Sequence, residues 1–235
     1  MPHRPGGAKS NRLLAALPSR DRARVMSNCE QIDLAIGEVL GEPGSPLRHA
    51  YFPVSSFISL ITPLDGNASL EVGMVGNEGM HGITLALGVD SSPLRSLVQG
   101  GGTCLRMSAA AFRLEQTRSV ALQKQLNRYL YVLTSQLAQS AVCARFHLIE
   151  ARLARWLLMT SDRAHADFFH ITHQFLAWML GVRRVGVTNA AGELQRKKLI
   201  SYVRGQVTIL NRAGLEAAAC SCYQADKAVY ERFLA

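Results

Sequence analysis

Short apolar runs alternate with turn residues between positions 32 and 108 of the chain. The runs cover residues 33–40, 51–62, 69–75, 94–99 and 103–107. Glycine-containing segments at 41–44 and 65–67 separate some of these runs, as tight turns between strands require. This spacing of strands and turns predicts a β-sandwich or β-roll.

The pattern is helical on both sides of this region. Residues 9–28 predict short helices interrupted at Pro18, and residues 119–142 contain neither Gly nor Pro and predict one long helix. The long helix carries an apolar stripe of Leu122, Leu126, Tyr129, Leu130, Leu133 and Leu137. Such a stripe either packs on its own domain or pairs with a second copy about a twofold axis. We assign it to a dimer seam, with packing on its own domain as the alternative.

Two further helices follow a predicted helix over residues 147–160 and a connector at 162–167. Thr172 suits the N-cap of a helix over residues 173–180, and Gly181 tolerates the left-handed conformation of the turn after it. The second helix covers residues 183–198 and has an apolar face of Val187, Ala190, Ala191 and Leu194. Two helices joined by a short glycine-containing turn describe a helix-turn-helix, and residues 199–210 predict a two-stranded wing behind it.

The polar face of this segment is predicted to carry side chains that recognise DNA. The predicted base-reading residues are Arg183, Arg184, Thr188 and Asn189. Arginine matches the acceptors of guanine, and asparagine matches adenine. The predicted phosphate-binding residues are Thr172, His173, Gln174, Lys197, Lys198, Tyr202 and Arg204. The alternative is a solvated basic helix end.

The charge distribution favours DNA as the partner. Residues 1–117 carry ten Lys/Arg and ten Asp/Glu, whereas residues 118–235 carry sixteen and seven. The whole positive excess therefore lies in the half that contains the predicted helix-turn-helix. With no stretch apolar enough to span a membrane and no signal-peptide pattern, we expect a soluble cytoplasmic protein without a membrane partner.

Particular segments resemble the Crp/Fnr family of bacterial transcription regulators. They are residues 51–53 (Tyr-Phe-Pro), 76–79 (Gly-Asn-Glu-Gly), 152–158, 172–174 (Thr-His-Gln), 181–184 (Gly-Val-Arg-Arg) and 199–200. The resemblance covers nearly the whole chain and implies an α+β protein with three parts. These are a β-roll effector domain like those that bind cyclic nucleotides (1–117), a dimerisation helix (118–145) and a winged helix-turn-helix domain (146–235). It also implies a homodimer on double-stranded DNA, with RNA polymerase as a further partner of an activator.

The sequence departs from the family at the effector site. The pocket that the resemblance implies would contain Gly82, Arg95 and Ser96, and Arg95 could neutralise a phosphate. However, Gly82-Ile83-Thr84 stands where cyclic-nucleotide-binding members have Gly-Glu-Leu, so the carboxylate for the ribose is missing. We therefore expect an unidentified effector other than cAMP, or none. Val185 also replaces a base-reading glutamate of well-known members, which predicts a different target sequence.

The cysteines and histidines predict no cofactor. Cys29 lacks the neighbouring cysteines of an iron–sulfur site, so no such cluster is expected. Cys143 and His147 have the spacing of two metal ligands on one helix face, but two ligands do not complete a tetrahedral site, and no metal site is predicted. We interpret Cys220 and Cys222 as structural or incidental, with a redox pair as the alternative, because a disulfide across one intervening residue is strained. His81 has the alternatives of a haem ligand, as in some gas-sensing relatives, or a solvated turn residue.

Two other classes of function stay open. The first is a small-molecule or cyclic-nucleotide binding module that acts on a protein partner and has a degenerate helix-turn-helix. The second is a thiol enzyme that uses Cys104 or Cys143. The chain has no nucleophile-elbow motif, P-loop or paired carboxylates, so we predict a regulator and not an enzyme.

Overall fold

The computed structural model describes residues 10–64 and 68–234. Ten strands form three antiparallel sheets within these residues, and nine α-helices surround them. The predicted turn at 65–67 and the first residue of the segment 9–28 lie outside the described residues.

The N-terminal part is a β-roll with two small helices in front of it. Its helices are α1 (Arg12–Ala15) and α2 (Ser19–Ser27), and Pro18 is the N-cap of α2. Its strands are β1 (Glu30–Leu34), β2 (Val39–Gly41), β3 (His49–Pro53), β4 (Phe57–Pro63), β5 (Ser69–Val75), β6 (Arg95–Gly100) and β7 (Gly102–Ser108). They form one sheet in the order β1-β7-β3 and another in the order β2-β6-β4-β5.

Each of the five segments that were predicted to contain strands does contain one, but several of the predicted boundaries differ from those in the structure. The runs predicted at 33–40 and 51–62 are each divided between two strands, because a turn interrupts each of them. Gly37 is in the first turn and has φ +87°, a conformation that L-residues with side chains rarely adopt. A 3₁₀ helix (Ile83–Leu87) between β5 and β6 was not predicted.

Helix α3 (Ala109–Arg118) leads into the long helix α4 (Val120–Phe146), which the Ser119 side chain caps by accepting from Leu122 N. The α4 stripe that we assigned to a dimer seam lies against the β-roll of the same chain. Leu122, Leu126, Tyr129 and Leu133 are buried in the core of the roll, and Leu130 and Leu137 pack on its edge. The assignment of this stripe to the dimer seam was wrong, because the roll covers the apolar face.

The C-terminal part is a helical domain with a small sheet. Its elements are α5 (Ile149–Ala164), β8 (Phe168–His170), α6 (His173–Leu180), α7 (Arg184–Arg196), β9 (Ile200–Val203), β10 (Gln206–Ile209), α8 (Arg212–Ala218) and α9 (Cys222–Leu234). The wing has three strands in the order β8-β10-β9 and not the predicted two. Helix α5 continues through part of the predicted connector, and α8 and α9 were not predicted.

The two parts share a continuous apolar contact. Ile61 and Met74 of the roll belong to the same buried cluster as Leu176, Val187 and other residues of the C-terminal domain. Ser69 Oγ donates a hydrogen bond to Trp178 O (3.1 Å), so β5 directly contacts α6. Within residues 10–64 and 68–234, no helix is both long and apolar enough to cross a membrane.

Candidate nucleic-acid interface

Helices α6 and α7 form the predicted helix-turn-helix. The side chain of Thr172 accepts a hydrogen bond from Phe175 N (3.1 Å) and so caps α6. Gly181 ends α6 with φ +61°, and Val182 N donates to Ala177 O (3.0 Å) across the turn. Two local signals in the sequence, a capping threonine and a glycine, therefore determine where the first helix begins and ends.

Helix α7 packs through its predicted apolar face. Val187, Ala190, Ala191 and Leu194 are all buried in the core of the C-terminal domain. Gly186 lies so close to α5 that a Cβ on it would be 2.8 Å from Ile149 Cδ1. The opposite face of α7 is consequently fixed towards solvent.

The exposed face of α7 begins with two arginines. Arg183 is the N-cap residue and Arg184 the first residue of the helix, and Val185 and Asn189 are exposed beside them. Among the described residues, neither arginine has an ion-pair partner. Two unpaired guanidinium groups at the N-terminus of an exposed helix are suited to reach the base edges of a major groove.

Thr188 has a contact within the protein that the sequence did not predict. Its Oγ1 donates to Arg184 O (3.1 Å) and lies 3.0 Å from His173 Nδ1. The His173 ring contacts the Tyr202 ring edge-on, and burial together with the charge of Arg184 lowers the pKa of His173. The three side chains link α7 to α6 and to the wing, so Thr188 and His173 stabilise the unit in which Arg184 lies.

The predicted phosphate-binding residues fall into two groups. Four make contacts within the protein: His173 contacts Thr188 and Tyr202, Thr172 caps α6, Tyr202 OH donates to Ile171 O (2.5 Å), and Lys197 Nζ lies 2.5 Å from Glu150 Oε1. Gln174, Lys198 and Arg204 are exposed. Lys198 and Arg204 have φ of +56° and +51°, which places them in tight turns at the end of α7 and at the tip of the wing.

The predicted effector residues do not meet in one cavity. Gly82 lines a cavity of about 160 Å³ between the roll and α4, together with apolar side chains such as Leu60, Leu130 and Leu133. Arg95 is outside this cavity, half-exposed, with its Nε 3.3 Å from Glu42 Oε1.

Two polar side chains lie beside this cavity. Ser96 is buried, and its Oγ is 3.3 Å from Nδ1 of His81. His81 is not the solvated turn residue of one alternative: it is 3% exposed, lines the cavity, and burial lowers its pKa to about 4. It is therefore neutral over the physiological range of pH.

A second cluster of chemistry-bearing residues was missed by the sequence analysis. Cys143 and His147 at the end of α4 meet Cys220 and Cys222 at the start of α9. The hydrogen bond from Cys220, aided by the charge of Arg155, lowers the pKa of Cys143 to about 5, and burial raises the pKa of Cys222. The signal was the Cys143–His147 spacing, but its partners are 77 residues further along the chain.

The fold has close counterparts among solved structures, and part of the chain matches a family model. Residues 151–218 match the Crp-like helix-turn-helix domain. A transcriptional regulator assigned to the crp/fnr family from Eubacterium rectale superposes with a TM-score of 0.70 at 16% identity, covering 88% of this chain and 96% of its own. FixK2 from Bradyrhizobium japonicum gives 0.69 at 13% identity, with 82% and 98% covered.

A CRP/FNR-family transcriptional regulator from Thermus thermophilus gives a TM-score of 0.68 at 23% identity, with 81% of this chain and 98% of its own covered. No curated protein sequence matches the chain. The Eubacterium rectale and Thermus thermophilus proteins are both described as transcriptional regulators. Residues 151–218 match a Crp-like helix-turn-helix domain, and together with the N-terminal β-roll and the long helix they give the chain a fold similar to that of Crp/Fnr-family transcription regulators.

Proposed function

We propose that this chain is a homodimeric regulator that reads a specific DNA sequence with the exposed face of α7. The observation that carries the proposal is the pair Arg183 and Arg184, exposed and without ion-pair partners among the described residues, at the start of the second helix of the helix-turn-helix. Asn189 lies one turn further along the same helix and offers a donor–acceptor pair to adenine. The wing and Lys198 would contact the backbone on either side.

Val185 adds an apolar contact to the proposed recognition of DNA bases by α7. Its side chain is 63% exposed beside Arg184 at the start of α7. An apolar side chain in the major groove recognises the methyl group of thymine, and it cannot accept a hydrogen bond from cytosine. We therefore expect at least one thymine next to the base that Arg184 contacts.

The proposed dimer uses the face of α4 that the roll leaves open. The exposed positions on this face recur at helical spacing and include Val120, Lys124, Asn127, Tyr131, Thr134, Ala138 and Val142. Val120 is 79%, Tyr131 54% and Val142 46% exposed, so this face presents three large apolar side chains to solvent, and the Tyr131 ring also contacts Phe233 of α9. A twofold axis along this face would present two copies of α7 to successive turns of the major groove, roughly 34–36 Å apart.

The proposed effector is small and largely apolar, or the protein acts without one. The cavity beside Gly82 has a volume of about 160 Å³ and a mainly apolar lining from β4, β5 and α4, and none of the described residues that line it is Asp, Glu, Lys or Arg. One structural relative is called a c-di-GMP-responsive regulator, but a phosphate ligand would need a cation that this cavity lacks. If the protein acts as an activator, RNA polymerase would be a further partner.

Paired arginine and lysine variants test the base-reading role of α7. On a duplex selected by the wild-type protein, Arg184→Ala should cost about 1–3 kcal/mol and relax the sequence preference. Lys198→Ala should weaken binding to selected and random duplexes by similar factors, because a phosphate contact carries no sequence information. Arg20→Ala, an exposed arginine in α2, removes the same charge far from α7 and should leave both affinities unchanged. Equal losses for Arg184→Ala on both duplexes would contradict base reading and favour the degenerate helix-turn-helix.

A further inference from the structure

Four potential metal ligands converge where the long helix meets the C-terminal domain. Cys143 is in the last turn of α4 and His147 is the residue that ends it, while Cys220 and Cys222 lie just before and at the start of α9. Cys143 Sγ is 3.5 Å from Cys220 Sγ, and Cys222 Sγ is 3.4 Å from His147 Nδ1. The four ligand atoms all lie within 4.8 Å of one another.

These separations agree with the edges of a tetrahedral zinc site. Zinc binds thiolate sulfur at about 2.3 Å and imidazole nitrogen at about 2.0–2.1 Å, so tetrahedral angles give edges of about 3.8 Å between two sulfurs and about 3.6 Å between sulfur and nitrogen. The two pairs that are already in contact are within a few tenths of an ångström of those values. Small side-chain rotations are enough to bring the remaining edges to the same length.

We propose that Cys143, His147, Cys220 and Cys222 form a Cys₃His site that binds one Zn²⁺ per chain. Three thiolates and one imidazole are a closed ligand set without a position for substrate, which is the composition of a structural zinc site. Soft sulfur ligands exclude Mg²⁺ and Ca²⁺, which prefer oxygen. Binding displaces the protons of those cysteines that are thiols in the free protein, and they leave to solvent.

The surroundings of the cluster support an anionic metal complex. Zn²⁺ with three thiolates and a neutral imidazole carries one net negative charge. Gln139 Nε2 lies 2.9 Å from Cys222 Sγ and donates to it, as second-sphere amides do to metal-bound thiolates. Arg152 and Arg155 of α5 line the same small cavity as Cys143, and Arg155 is also paired with Asp226, so the cavity has one guanidinium group without a carboxylate partner among the described residues.

The position of the site gives the metal a structural consequence. Between α4 and α5 the chain turns through His147 and Leu148, and Leu148 is 82% exposed. Ligands at the end of α4 and at the start of α9 would hold the C-terminal domain against the long helix on the inner side of this turn. Zinc would thus fix the angle between α4 and the domain that contains α7. This inference does not depend on DNA binding, since it concerns only how the two parts of one chain are joined.

A disulfide between Cys143 and Cys220 is the competing chemistry, since their sulfurs are in contact. A disulfide would use two of the four side chains and leave no role for Cys222 and His147, which converge on the same point. The four-ligand arrangement therefore favours the metal, and the disulfide becomes an outcome of the test.

The first test measures zinc in the full-length protein purified under reducing conditions. Elemental analysis should find one zinc per chain in the wild type and in Cys29→Ser, a control thiol far from the site. Cys143→Ser and Cys222→Ser should each lower the affinity for zinc by more than about a hundredfold. Zinc content that is the same in all four proteins would overturn the proposal.

A second test needs no variant and so does not depend on whether the serine variants fold. The chelated and reduced wild-type protein is titrated with Co²⁺, which in a tetrahedral thiolate site gives intense visible absorption bands. The bands should saturate at one equivalent per chain and disappear when one equivalent of Zn²⁺ is added. A folded, reduced protein that develops no such bands, or mass spectrometry that finds a Cys143–Cys220 disulfide in the protein as isolated, would contradict the site.

Discussion

Glu78 Oε1 in the β-roll lies 2.8 Å from a terminal guanidinium nitrogen of Arg163, near the end of α5. Both side chains are buried, with exposed fractions of 7% and 8%. The carboxylate also accepts from Gly76 N, and Arg163 donates to Tyr230 OH in α9 (3.1 Å). One buried ion pair therefore joins the roll, the first helix of the C-terminal domain and the last helix of the chain.

Breaking this ion pair should destabilise the protein strongly. Glu78→Gln leaves the charge of Arg163 buried without its partner, which typically costs about 3–5 kcal/mol. Glu42→Gln is the matched control, because Glu42 pairs with Arg95 at a half-exposed position where such pairs contribute at most about 1 kcal/mol. Urea unfolding of both variants measures the difference. Similar small losses in the two proteins would show that the Glu78–Arg163 pair does not join the domains.

Glu71 in β5 should make stability depend on pH. Its Oε2 is buried without a hydrogen-bond partner among the described residues, and burial raises its pKa to about 7 from an ordinary value of 4.5. Between about pH 4.5 and about pH 7, Glu71 is protonated in the folded protein and ionised in the unfolded chain. The contribution of Glu71 to the free energy of unfolding is therefore fully present below about pH 4.5 and is lost as the pH rises through about 7.

The variant Glu71→Gln should remove this loss, because the amide has the same shape and no charge. We compare the free energy of unfolding of Glu71→Gln with that of the wild type at two pH values. The variant should gain up to about 3 kcal/mol relative to the wild type when the pH is raised from about 4.5 to about 8. His81, with its lowered pKa, changes stability in the opposite direction below pH 6.5, but equally in both proteins. Urea unfolding at the two pH values measures the effect, and parallel pH profiles would be inconsistent with a buried, protonated Glu71.

The turn between α6 and α7 should be sensitive to a side chain at Gly181. Its φ of +61° is costly for alanine by about 1–2 kcal/mol, and the added Cβ would lie 3.2 Å from Leu70 Cδ1. Gly192 in the interior of α7 provides the control, since a Cβ there meets nothing within 4 Å. Gly181→Ala should lower the thermal midpoint, whereas Gly192→Ala should raise stability by about 0.5–1 kcal/mol. The same sign of change in both variants would argue against this turn geometry.

Lys197 and Lys198 are adjacent but should contribute differently to the salt dependence of DNA binding. Lys198 is exposed without an ion-pair partner among the described residues, whereas Lys197 is paired with Glu150. Lys198→Ala should reduce the slope of log affinity against log salt concentration by about one, and Lys197→Ala by less. Binding titrations over a series of salt concentrations measure the slopes. A larger change for Lys197→Ala would mean that Glu150 releases it on DNA.

Elements bounded by local signals could be predicted from the sequence. The bounds of α6 agree residue for residue, because Thr172 and Gly181 act within one turn of the helix ends. Strand β5 was predicted with its exact bounds for a similar reason. The three residues of β8 form a strand only because β10 pairs with them, so no pattern in the segment itself could predict it.

Long-range relationships could not be predicted. Periodicity identified the buried face of α4 correctly, but it does not say whether a roll of the same chain or a second copy covers that face. The Gly82, Arg95 and Ser96 group came from the resemblance, and the backbone of β6 directs Arg95 away from the cavity towards Glu42. The spacing of Cys143 and His147 in the sequence indicated two of the four ligands of the proposed zinc site. Only the fold brings Cys220 and Cys222 to them.

The claim that α7 reads a DNA sequence as part of a dimer is tested most directly by selecting binding sites from a random duplex pool. The selection is made with the full-length protein at fixed salt and without added ligand. We predict an enriched inverted repeat whose half-sites lie about 10 base pairs apart, with guanine and thymine at the positions that Arg184 and Val185 reach. The protein used is checked to be folded, and its zinc content is measured. If no sequence is enriched, the result would contradict the claim that the protein recognises a specific DNA sequence without an effector.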